Sequence, residues 1–258
     1  MQINRSRLLE KFGGEEKYFD DEVKNRDINF IVFHHTKSSS VPQAISLYKE
    51  HGVSPHYLID PLGQVFLLVE EENIAFHAGC SFWRGVESIN NSSIGIEFLS
   101  NDPYEVGFSN NQINSGLFLC RNLVEKYNIE PPNIVGHSDI AFFKDSKLLG
   151  RKDDPSHLFK WQFLAKNGIG IFAKIELEND RALFKINNSH PAIAKAKKNL
   201  HRFGYLVNNF DENFDEEMRF LARVFNQRFN PGKFQENSDY WYLSSELLLR
   251  EIIKQISV

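Results

Sequence analysis

From Asn29 the chain runs NFIVFHH, a compact apolar and β-branched stretch that predicts a strand with His34 near its end. VPQAISLYKEH then spaces Ala44, Ile45, Tyr48 and Lys49 for one face of a short helix. In HYLIDPLGQVFLLV two apolar runs flank Asp60, Pro61, Leu62 and Gly63. Proline presets φ for such a turn and glycine supplies positive φ, so this stretch predicts a hairpin. SSIGIEFLS alternates strictly, placing Ile94, Ile96 and Phe98 on one side and Ser93, Gly95 and Glu97 on the other. Glu97 therefore points away from the apolar side of its strand.

Between Ser109 and Tyr127 the period lengthens. Ile113, Leu117, Cys120, Leu123, Val124 and Tyr127 fall at helical spacing, with Ser109 as candidate N-cap. PPNIVGH predicts a short strand ending at His137, and HLFKWQFLAKNG a helix stopped by Asn167 and Gly168. Residues 171–189 lose periodicity and read as a linker. HPAIAKAKKNLHRFGY, FDEEMRFLARVFNQRF and SSELLLREIIKQI then predict three helices, separated by Gly204, by NNFDEN and by a Pro231-Gly232 loop. The expected organisation is an N-terminal arm (1–28), an α/β domain with a mixed central sheet flanked by helices (29–170), the linker, and a small three-helix domain (190–258).

Composition narrows the choice of class. With 258 residues, 41% hydrophobic, 25% charged and 23 Phe, the chain can bury a large core. A formal net charge of -4 offers no general attraction to polyanions, so nucleic acid is set aside as a partner. Cys80 and Cys120 sit in no metal-binding spacing and are too few for a disulfide framework. No apolar stretch is long enough for a membrane span, and no signal peptide is visible at the start.

Three candidate metal ligands stand in loop-proximal settings: a histidine of IVFHHT, His137 in IVGHSDI and an aspartate of GRKDDP. Two imidazoles and a carboxylate leave a fourth tetrahedral position for water, the feature that separates a hydrolytic zinc site from a closed structural one. His34 and His35 are adjacent on a strand and face opposite ways, so only one of them serves. Asp153 and Asp154 are equally able to coordinate. Asp139 in GHSDIA reads either as a partner behind a ligand or as a loop cap.

The ordered series VFHHT, HYLID, HAG, SIGIE, GHSDIA and RKDDP resembles the zinc-dependent N-acetylmuramoyl-L-alanine amidases of the AmpD-like, type-2 class, over residues 29–161. That resemblance implies Zn²⁺ held by His34, His137 and Asp154, Glu97 as general base and Lys152 as oxyanion-stabilising cation. It places His77 and Asn90 along the substrate groove. Between GHSDIA and RKDDP this chain carries FFKDSKLLG, longer than in many relatives, which would alter the groove or form a lid. The C-terminal segment, with LHRFGY and Phe214 to Glu217, resembles a three-helix peptidoglycan-binding module. Tyr240, Trp241 and Tyr242 are either sugar-stacking or core aromatics.

The expected activity is hydrolysis of the amide joining the lactyl group of N-acetylmuramic acid, in its 1,6-anhydro or intact form, to L-alanine of peptidoglycan stem peptides. Peptidoglycan or muropeptide fragments are the expected partners. The competing expectation is a peptidoglycan-recognition protein that binds without cutting. A wall-binding module favours the periplasm or envelope, and the missing signal peptide the cytoplasm.

Overall fold

The computed structural model describes residues 26–256; the predicted arm lies outside them except for 26–28. Strand β1 (Phe30–Lys37) leads into helix α1 (Val41–His51), whose first turn is capped by Ser40 Oγ accepting from the Gln43 amide. Strands β2 (Tyr57–Ile59) and β3 (Val65–Leu67) form the predicted antiparallel hairpin. The Asp60 carboxylate closes its turn by accepting from the amides of Leu62 at 3.0 Å and Gln64 at 2.8 Å. A small ribbon, β4 (Phe82–Trp83) with β5 (Val86–Glu87), precedes β6 (Ser93–Ser100). Helix α2 (Asn110–Tyr127) is capped by Ser109, and β7 (Ile134–Gly136) runs directly into the one-turn helix α3 (His137–Ile140).

The main sheet has the order β3-β2-β6-β1-β7 and is mixed: β2, β6, β1 and β7 run parallel, and β3 is antiparallel at the edge. Its two faces are buried against different partners. Ile31 and Phe33 of β1 join Ile94, Ile96 and Phe98 of β6 under α2, with Phe159 and Trp161 completing an aromatic cluster. Phe30 and Val32 of β1 point the other way, into a second cluster built largely by the C-terminal helices. Period-two alternation thus assigns neighbouring residues of one strand to separate cores.

Those helices are α5 (Pro191–Phe203), α6 (Glu216–Phe229) and α8 (Leu243–Gln255), the three the spacing predicts. Three details differ from the sequence expectation. The helix expected from His157 begins only at Trp161, as α4 (Trp161–Lys166), because Phe159 is drawn into the aromatic cluster on Phe33 and Phe98. The expected Pro231-Gly232 loop is helix α7 (Pro231–Asn237), where proline occupies a first-turn position that lacks an intrahelical N–H partner anyway. Within the expected linker, Ile171 and Ala173 are buried in the second cluster, and β8 (Ala182–Phe184) pairs with β9 (Trp241–Tyr242). Trp241 is core, packed on Phe225.

The Phe142 to Gly150 insertion folds on itself, with Phe142 bridged to Leu149, and both side chains enter the cluster shared with the C-terminal helices. Its tip is held by Asn208, whose amide donates to the Lys147 carbonyl at 3.1 Å. Cys80 and Cys120 are unpaired. Among the described residues no helix is long and apolar enough to cross a membrane.

Candidate metal centre

The parallel strands β1, β6 and β7 end on one edge of the sheet, the side where loops of open α/β sheets gather functional groups. His34 sits in β1, His137 starts α3 immediately after β7, and Asp154 follows the insertion. Their side chains converge. His34 Nδ1 lies 3.1 Å from His137 Nδ1 and 3.0 Å from Asp154 Oδ2, and His137 Nδ1 lies 3.2 Å from the same oxygen. All three residues are buried, at 2%, 4% and 7% exposure. Asp153 is exposed, and His35 turns away to Tyr104, with 3.0 Å between Nε2 and Oη. Of each adjacent pair, it is His34 and Asp154 whose side chains enter the cluster with His137.

The far edge of His137 fixes which of its nitrogens carries the proton, whereas the His34–His77–Ser93 chain is satisfied in either direction because the Ser93 hydroxyl both donates and accepts. His137 Nε2 lies 3.1 Å from the Ala78 carbonyl, which only accepts, so Nε2–H donates and Nδ1 keeps its lone pair. His34 Nε2 lies 3.0 Å from His77 Nδ1, and His77 Nε2 lies 3.2 Å from Ser93 Oγ. In one direction His34 Nε2–H donates to His77 and His77 Nε2–H to Ser93, which leaves His34 Nδ1 free as well. Two nitrogen lone pairs and a carboxylate oxygen then face one another with no donor between them. Such a set fits a divalent cation. Burial and then the adjacent His137 push His34 down to about 4, which favours the neutral, ligating form. Burial alone would raise Asp154, and donors or positive charge at His137 and His34 draw it well below the ordinary carboxylate range; with both imidazoles neutral and their lone pairs turned inward, that role falls to a cation.

His77 reaches this position because Gly95, facing it from β6, has no side chain: a Cβ there would stand 2.5 Å from His77 Cγ. Asn90 fixes the backbone of the same segment, its Oδ1 accepting from the amides of His77 at 3.0 Å and Ala78 at 2.7 Å. Beside the triad, Glu97 stands opposite His34 in the β1–β6 register and shares its face. Its Oε2 is buried and has no hydrogen-bond partner among the described residues. Burial, and after it the charge of Asp154, raises the Glu97 carboxyl well above its usual value, against the opposing pull of Lys152. These groups border a cleft of about 310 Å³, whose mouth carries Val53, Phe76 and Lys37.

Comparison with known proteins decides what the centre belongs to. A family profile described as N-acetylmuramoyl-L-alanine amidase matches residues 24–157. The amidase AmiD of Escherichia coli is 30% identical over 226 residues, covering 82% of this chain and 78% of that protein. This chain belongs to the N-acetylmuramoyl-L-alanine amidases. The solved complex of E. coli AmiD with the substrate anhydro-N-acetylmuramic acid-L-Ala-D-γ-Glu-L-Lys superposes with a TM-score of 0.71 at 26% identity, covering 91% of each chain. AmpDh3 of Pseudomonas aeruginosa shares the fold, with a TM-score of 0.69 at 24% identity over 95% of this chain and 98% of that one.

Of the residues singled out in the amidase sequence, His34, His137 and Asp154 are brought together, and Glu97, Lys152 and His77 border the same cleft. Asn90 meets the cleft only through the backbone it holds. Two groups behind the ligands escape sequence reasoning. Ser93 shares the Glu97 side of β6, which alternation does reveal, but nothing local shows that it meets His77. The Ala78 carbonyl belongs to the backbone and leaves no mark in the residue pattern.

Proposed function

We propose that this amidase cleaves the amide between the lactyl group of N-acetylmuramic acid and L-alanine of the stem peptide, with Zn²⁺ held by His34, His137 and Asp154. The observation that carries the reading is the convergence of two imidazole nitrogens and a carboxylate oxygen at the floor of a cleft, beside Glu97, whose Oε2 has no hydrogen-bond partner among the described residues. Ligands at about 2.0–2.1 Å from a tetrahedral zinc lie about 3.3–3.4 Å from one another, close to the separations of 3.0, 3.1 and 3.2 Å found here. Bound there, zinc supplies Lewis acidity, making water more acidic and polarising the scissile carbonyl.

The chain's own groups supply the proton chemistry and the charge. Glu97, whose carboxyl is lifted by burial, accepts a proton from the attacking water and returns it to the departing nitrogen. Water oxygen bonds to the lactyl carbonyl carbon, the C–N bond breaks, and the products are a muramic carboxylate and a free L-alanine amine. Lys152 brings positive charge to the cleft, where the developing oxyanion requires it. His77 and Ser93 accommodate His34 in its ligating tautomer.

AmiD was solved with an anhydro-muropeptide substrate, so that compound class is the first to test. Zinc-loaded protein incubated with anhydromuramoyl peptides is expected to release free sugar and free stem peptide, resolved by mass spectrometry. Intact muropeptide after zinc loading contradicts the proposal, and binding without turnover favours a recognition protein instead.

A further inference from the structure

The C-terminal helices touch the metal centre from behind. Arg228 of α6 is buried, with side-chain exposure of 1%, and pairs with Asp139, at 0%, through Nη1 to Oδ2 at 2.6 Å. Its Nη2 donates to the Ile134 carbonyl at 3.0 Å, and its guanidinium stacks 4.1 Å over the Trp161 ring. Asp139 lies two residues after His137. Its Oδ2 also accepts from the Gly136 amide at 2.8 Å, and its Oδ1 from the Tyr205 hydroxyl at 2.8 Å. This carboxylate pins the turn that presents His137 and is itself held from two sides by the C-terminal segment.

The neighbouring residue of the same helix reaches the other ligand segment. Gln227 is buried and its Nε2 donates to the carbonyl of Asp153, the residue before Asp154. The Asp154 carbonyl in turn accepts from the Ser138 amide at 2.8 Å, which stitches the two ligand segments together. Consecutive residues of α6 thus grip both segments that carry ligands from outside β1.

We propose that α6 is a working part of the metal centre: Gln227 and Arg228 are positioning residues that hold Asp154 and His137 at bonding separation. The inference rests on the zinc reading given above. It assigns the helical segment a role that attachment to the wall does not require, because a tethered wall anchor needs no buried contact with the ligand loops. Loops that carry ligands hold a metal tightly only when their own backbone is fixed, and loss of such supporting contacts typically weakens metal affinity about 10–100-fold.

The test uses the full chain and zinc as the probe. Affinity is measured by competition with a chromophoric chelator, and stability by thermal unfolding of the metal-free protein. Gln227→Met keeps the volume and removes the donor. It is expected to weaken zinc binding at least tenfold while shifting the metal-free unfolding midpoint by less than about 2 °C. Arg228→Lys keeps the charge near Asp139 but gives up the forked contact, and a smaller loss of affinity is expected; it carries the comparison if Gln227→Met does not fold. Unchanged zinc affinity in the variants overturns the proposal. A loss of affinity matched by an equal loss of metal-free stability overturns it too, since that outcome describes general weakening. Failure of the unmutated protein to bind zinc, or to cleave muropeptide once loaded, is seen before any variant is compared and counts against the zinc amidase reading itself.

Discussion

Strands β1 and β6 show two faces with opposite logic. Toward α2 they present Ile31, Phe33, Ile94, Ile96 and Phe98, stacked with the rings of Phe159 and Trp161. On the other side the same strands present His34, Ser93, Gly95 and Glu97, each meeting a particular partner or a deliberate gap. The apolar face is stabilised by area, and its members share their contacts among many neighbours. The polar face, buried at His34, Ser93 and Gly95 and partly so at Glu97, relies on one-to-one pairings at His34 and Ser93, where a single change leaves an orphaned group. Along β6 fold stability and chemistry are thereby divided between alternate residues, while in β1 the face of His34 also carries Phe30 and Val32 into the second core.

Adjacent residues Glu97 and Phe98 give the strongest separation of the two. Glu97→Gln keeps shape and is expected to lower kcat about 10²–10⁴-fold with little change in unfolding midpoint, read by muropeptide hydrolysis and thermal melts. Phe98→Ala is expected to cost about 3–5 kcal/mol in denaturant unfolding while zinc stoichiometry stays that of the unmutated protein. A large stability loss in the first variant, or metal loss in the second below its melting range, breaks the division of labour.

His77→Phe preserves most of the ring volume but deletes the acceptor for His34 Nε2–H. Zinc affinity is expected to fall about 10–100-fold, measured by chelator competition. Unaltered affinity would show that the His77–Ser93 pair does not govern the tautomer of His34.

A further test concerns pH. His56 accepts the Gly95 amide on Nδ1 at 3.0 Å, and its Nε2 lies 3.1 Å from the Asn73 carbonyl and 2.7 Å from Arg26 Nη2, so an accepting Nδ1 and an adjacent guanidinium both select the neutral ring. Burial, then the charge of Arg26, hold it down to about 3 against an ordinary 6.5. Above 6.5 neither state binds the proton and the contribution is complete. Between 6.5 and 3 the unfolded chain takes up a proton that the folded one refuses, so stability falls as pH drops across that window. Metal-free protein is expected to melt progressively lower from pH 7 to pH 4, with a shallower slope in His56→Gln. A flat profile would show that His56 is not held neutral by the fold.

Much of this was legible because alternation and motif order are local. Strict period two in SSIGIEFLS placed Glu97 on the functional face, and helical spacing located α2, α5, α6 and α8. What escaped was long-range or featureless. Arg228 and Asp139 are 89 residues apart, and Gln227 and Asp153 are 74 apart, so no window of sequence contains both partners. Helix α7 buries no residue and so carries no apolar stripe to read. Asn90 was visible as a residue near SIGIE, but its task depends on two amides at 77 and 78, a backbone contact that side-chain types do not encode.

Zinc stoichiometry, measured by elemental analysis after dialysis, addresses the centre most directly when the unmutated protein is set beside His34→Ala, His137→Ala and Asp154→Ala. One ion per chain in the unmutated protein and none retained in any of the three variants, all of them folded, is the predicted result. A full complement of zinc in any folded variant would mean that these three side chains do not hold a common ion.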